Sequence, residues 1–103
     1  LAEGTVIQPR YLDVIRDAAD AAVAKSLVTI DGTQKEFPIY RTLVDGYKIR
    51  KYIYIQNDNT GHITNAVLLD HAGNQLAIKP HNVQKGTDGF VICFELEIKL
   101  EVK

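Results

Sequence analysis

The sequence contains one cysteine, Cys93, so no disulfide can form within the chain and a small stapled scaffold is excluded. A lone cysteine reads either as a catalytic thiol or as a small packing residue in a strand, and its alternating surroundings favour the second. No run of 18 apolar residues occurs, which excludes a membrane-spanning helix. Neither sign of charge is in surplus: 12 Lys and Arg face 13 Asp and Glu, a net charge of −1. That balance provides no field to steer the chain onto nucleic acid or an anionic membrane. The seven glycines sit singly, and three of them follow an aspartate. No Gly-rich loop that could cradle a phosphate exists. No stretch has the make-up of a signal peptide, although the sequence begins at Leu1 rather than Met.

What is present is ordinary globular composition, 46% apolar and 24% charged over 103 residues, which fits one compact domain. Residues 1–25 form a lead-in and a helix, and 26–103 a β body. Pro9 suits a first helical turn, where its missing N–H costs nothing. From Arg10 to Lys25, Tyr11, Leu12, Ile15, Ala18, Ala19, Ala22 and Val23 recur at helical spacing, with Asp13, Arg16, Asp17 and Asp20 opposite. Val14 breaks the pattern. Beyond Lys25 the period falls to two. Ser26–Ile30 reads as a strand and Asp31-Gly32 as a turn. Gln34–Tyr40 reads as a second strand, which Pro38 marks as an edge or a bulge. Asp45-Gly46 is another turn. Tyr47–Gln56 is a long strand with Tyr47, Ile49, Ile53 and Ile55 on one face and Lys48, Arg50, Tyr52 and Tyr54 on the other. Residues 57–61 are turn formers. A hairpin follows: Ile63–Leu69, a polar knot around Gly73-Asn74, and Gln75–Lys79, ended by Pro80.

The final segment, FVICFELEIKLEV, alternates throughout. Phe90, Ile92, Phe94, Leu96, Ile98, Leu100 and Val102 share one face. As a single strand it spans about 40 Å at ~3.3 Å per residue, roughly twice the usual length. One small sheet can hardly cover it, so it either serves two sheets or meets another subunit at its far end. A helix followed by about six strands indicates an α+β fold with a mainly antiparallel, β-sandwich-like body.

Constellations that carry chemistry are sparse. His62, His71 and His81 lie nine and ten residues apart, near turns, without the spacing of a metal site on one helix or strand. Residues 57–61 begin like a calcium loop but lack its glycine and its closing glutamate. Glu95 and Glu97 are neighbours on the polar face of a strand, the pattern of a solvated face. No Ser-His-Asp arrangement stands out. The expectation is therefore a non-enzymatic protein with no cofactor and no metal. Lys48, Arg50, Tyr52 and Tyr54 share a face and form a candidate ligand face, since basic and aromatic residues together stack on bases or sugar rings. The alternative is internal: Glu95, Glu97 and Glu101 lie opposite the basic residues as cross-strand pairs if the two long strands are neighbours.

The order within 62–79 runs Ile63-Thr64, Leu68-Leu69-Asp70, Gly73, then Leu76-Ala77-Ile78, followed by Lys85-Gly86 and the alternating strand. This resembles a pattern in small bacteriophage and prophage tail-region proteins, in which such a hairpin is followed by a lysine-containing link and a final strand. Where that family commonly has a small residue and a tyrosine, this sequence has Leu68-Leu69. The resemblance covers about residues 45–100, and the helix at 10–25 suits the stand-alone form. It implies a structural or assembly protein of a tail, in the virion or in the host cytoplasm during assembly. Its partners are then other tail proteins and copies of itself, with a trimer favoured, and neither nucleic acid nor membrane. Candidate interface residues are Phe94, Leu96, Ile98, Leu100 and Val102, joined by Leu12 and Ile15 of the helix, whose stripe has a/d spacing; the other reading of that stripe is that the helix simply covers one sheet face. The alternative function is a carbohydrate- or ligand-binding β-sandwich using the tyrosine face.

Overall fold

A computed structural model describes residues 6–102. One helix, α1 (Pro9–Ala22), precedes seven strands: β1 (Lys25–Ile30), β2 (Thr33–Pro38), β3 (Arg41–Asp45), β4 (Lys48–Ile55), β5 (Gly61–Leu69), β6 (Gln75–Lys85) and β7 (Phe90–Glu97). All ladders are antiparallel. They form a four-stranded sheet in the order β2-β1-β5-β6 and a three-stranded sheet in the order β3-β4-β7. The fold is thus α+β with a sandwich-like body, with one strand more than the alternation alone indicates.

The turns follow their residues. Asp31 and Gly32 take φ of 51° and 76° between paired Ile30 and Thr33, the type I′ geometry that matches strand twist. Gly46 takes φ of 60° at the first central position between paired Asp45 and Lys48. At the β5–β6 turn, one Asp70 carboxylate oxygen accepts the backbone N–H of Ala72 at 3.0 Å and of Asn74 at 2.8 Å. Gly73 takes the positive φ there.

The core lies between the sheets. Val28, Ile30, Phe37, Ile63, Ala66 and Leu68 from the larger sheet meet Ile53, Ile55, Ile92 and Phe94 from the smaller. Each fully buried aliphatic or aromatic side chain contributes about 1.5–3 kcal/mol, so this cluster dominates stability. Strict alternation fails in β5, where Ile63 and Ala66 share the inward face. Thr64 is the extra residue between the Thr29↔Asn65 and Ile30↔Ile63 pairs, and this bulge resets the alternation.

Four sequence-based expectations are corrected. The helix ends at Ala22, not Lys25, because Lys25 is already paired in β1. Residues 41–45 are a strand of their own, and Pro38 ends β2 at the sheet edge. Pro80 does not end the hairpin. β6 runs through it to Lys85, with two residues, His81 and Asn82, opposite Thr64 alone; an edge strand accommodates a proline at such a bulge. Lastly, the ladder of β7 stops at Glu97, whose partner Lys48 is the first residue of β4. One more bond, Ile98 N–H to the Tyr47 carbonyl at 2.8 Å, closes the pairing, and residues 98–102 lie outside the strand.

Candidate functional site

The outward face of β4 carries Lys48, Arg50, Tyr52 and Tyr54, as the alternation predicts. β7 is its neighbour, with Lys48 opposite Glu97 and Arg50 opposite Glu95. The Arg50 Nε donates to Glu95 Oε1 at 2.9 Å. That hydrogen bond, then the charge of Glu95, raises the guanidinium pKa further above its ordinary value. The internal-pairing reading therefore holds for Arg50. Tyr54 packs its ring against Tyr40 with centroids 5.5 Å apart and lies over Gly89, where any Cβ would collide with the phenol. Arg50 and Tyr54 line separate grooves. A groove beside Arg50 is lined by Ala77, Lys79, Cys93, Phe94, Glu95 and Leu96, whereas the depression beside Tyr54 is lined by Gln56, Asn57 and Asp58. Lys79 crosses the first groove: its Nζ donates to the Cys93 carbonyl at 2.7 Å and sits 6.0 Å from the Phe94 ring centre.

The candidate interface residues fall into two groups. Phe94 is 5% exposed and Leu96 packs against the core, so the chain's own sandwich uses both and Phe94 is removed from the surface. Leu12, Ile98 and Leu100 come together: with Lys99 and Glu101 they line a groove of about 560 Å³ between the helix and the C-terminal segment. Ile15 is half-buried on the same side of the helix, while Leu100 and Val102 are exposed. Tyr11 and Val14 are exposed on the helix as well, beside exposed Val6. Half of the exposed large apolar residues thus belong to 6–14 and 98–102. The molecule measures 56 × 24 × 21 Å, and its helix and C-terminal segment meet at the groove of Leu12, Ile98 and Leu100.

Three polar residues were not singled out in the sequence. Lys51 lies on the inward face of β4, between Ile49 and Ile53, and is 4% exposed. Its ammonium pairs with the Asp20 carboxylate of α1 and donates to the Thr42 hydroxyl at 3.0 Å. Lys85 is equally buried and donates to the carbonyls of Gln56 at 2.8 Å and Gly86 at 3.1 Å. Tyr47 lies near Asp13, and burial, then that carboxylate, pushes its phenol pKa up. Lys51 has no place on either face of β4 as read from the sequence; a lone lysine at an inward position among isoleucines was the available signal. Among the described residues, no three His, Cys, Asp or Glu side chains lie close enough to hold a metal ion.

Compared with known protein families, curated proteins and solved structures, the chain matches none.

Proposed function

We propose that this chain is a structural, non-enzymatic subunit of a phage or prophage tail, acting through protein–protein contacts that include copies of itself. The observation that carries the assembly part is the groove in which Leu12 meets Ile98 and Leu100, with Tyr11 and Val14 exposed on the same helix and Leu100 and Val102 exposed on the C-terminal segment. Exposed apolar patches on small proteins mark sites of association. The tail assignment rests on the resemblance of the hairpin at 62–79, which favours a trimer, in the virion or in the host cytoplasm during assembly. The ligand-binding alternative needs Lys48, Arg50, Tyr52 and Tyr54 to open onto one concavity, whereas Arg50 and Tyr54 line different grooves.

Light scattering over a concentration series tests the reading. The wild-type chain is expected to form a trimer or larger closed ring. The double substitution Leu100→Asp and Val102→Asp is expected to yield a folded monomer. A wild-type chain that stays monomeric at high concentration overturns the assembly reading.

A further inference from the structure

We propose that α1 is a lid, hinged at Val23–Ala24, which lifts from the sandwich as a unit while both sheets stay folded, and that the Lys51–Asp20 pair is its catch. The seat of the helix is thin. No residue of α1 is buried, in contrast to the ten-residue core between the sheets. Under its C-terminal half, Ala19, Ala22 and Val23 face Leu68, Leu76, Ala77 and Leu96 across an apolar groove of about 190 Å³. That groove is partly open to solvent, so helix and sheets are not close-packed along it. Apolar adhesion is therefore weak where the helix would need it most.

Polar contacts hold the helix instead. The Lys51 ammonium pairs with the Asp20 carboxylate and also lies 3.4 Å from the Asp20 carbonyl. Arg16 donates to the Gly46 carbonyl at 3.2 Å and lies over the Tyr47 ring. His71 Nε2 meets the Ala21 carbonyl at 3.1 Å. Water can replace each of these when the helix lifts. The hinge is the two-residue link between Ala22 and Lys25, and the Ala24 N–H held by the Leu69 carbonyl at 2.8 Å anchors its far side.

Lys51 makes the motion two-state. An ammonium left buried without a partner is strongly destabilising. With the helix down, Asp20 satisfies it; with the helix up, water does. A helix shifted partway leaves it with neither. A methionine at position 51 would satisfy only the closed state.

The test is native-state hydrogen exchange in increasing sub-denaturing guanidinium, with all variants compared at one measured association state so that the result does not depend on the assembly reading. In the wild-type chain, amides 13–22 are expected to exchange through an opening that responds weakly to denaturant, while amides 66–69 of β5 exchange only on global unfolding. Asp20→Ala is expected to speed exchange in α1 by roughly tenfold or more with β5 unchanged. Adding Lys51→Met is expected to return α1 to wild-type rates or slower. If α1 and β5 share one denaturant dependence in the wild-type chain, the lid does not exist. If Asp20→Ala leaves α1 unchanged, or speeds both regions equally, the pair is not its catch. The wild-type series decides the first point without any variant.

Discussion

Gly61 is the residue whose replacement the backbone opposes most directly. It takes φ of 134°, and a Cβ there would overlap the Asp31 carboxylate and the Ile30 γ2 methyl. The same carboxylate accepts the His62 N–H at 2.8 Å, so it cannot move away without losing a bond. Gly61→Ala is expected to cost at least about 1–3 kcal/mol, read as a lower denaturation midpoint with an unchanged slope. Two titrating residues both lower stability on acidification, in different pH windows. Hydrogen bonds from Asn74, backbone first, hold the Asp70 carboxyl below its ordinary value of 3.8. A depressed carboxyl contributes stability above 3.8 that is lost as pH falls through its folded value. An NMR titration should therefore place Asp70 below an unfolded reference, and Asp70→Ala should remove that acid-sensitive part. His81 sits in the β6 bulge with Nε2 buried and unpartnered. Burial, then the Lys79 ammonium, lowers its pKa from 6.5. The unfolded chain takes up this proton first, so stability should fall as pH drops through 6.5 and level off below the folded value. Urea midpoints at about pH 8 and about pH 5 should differ less in His81→Gln than in wild type.

At the scale of elements, β4 and β7 show what the sequence makes legible. Their faces follow from period-two alternation, and the opposite charges on those faces made a cross-strand Arg50–Glu95 pair one of two open readings, which the pairing of β4 with β7 decides. A double-mutant cycle on Arg50 and Glu95 should return a small coupling that shrinks with added salt, as exposed pairs do. The aspartate-led turns were equally legible, because Asp-Gly and an Asp-headed knot have few other uses. What was hidden has identifiable causes. β3 is an exposed edge strand of five residues with only Leu43 half-buried, so no apolar alternation marks it. The passage of β6 through Pro80 depends on its being an edge strand, which only the sheet order reveals. The end of β7 depends on where its partner begins, at Lys48, not on its own residues, whose alternation runs on to Val102. Of the candidate site, the exposure of Leu100 and Val102 was legible. The meeting of Leu12 with Ile98 and Leu100 came from the path of the chain.

For the molecule as a whole, stability and association reside in different places. The core is built from strand residues of the two sheets, whereas Leu12, Ile98 and Leu100 meet outside it. Ile53→Ala, at a fully buried position, should cost about 2–5 kcal/mol of folding stability while leaving the assembled mass unchanged wherever the chain remains folded. Leu100→Asp should do the reverse. The sheet order has a further consequence, for how the chain reaches this state. The strands alternate between sheets along the sequence: β1 and β2, then β3 and β4 opposite, then back for β5 and β6, and across again for β7. Lys25 pairs with Leu69, and Lys48 with Glu97. Neither sheet is complete from local hairpins alone, and Ile92 and Phe94 are missing from the core until β7 docks. Loop closure must precede most of the contacts that reward it, so refolding is expected in roughly the millisecond-to-second range. During synthesis, the half-built sandwich waits with the β4 edge open until its last strand leaves the ribosome. In that interval, a β7 from a neighbouring chain is the most dangerous competitor for the gap.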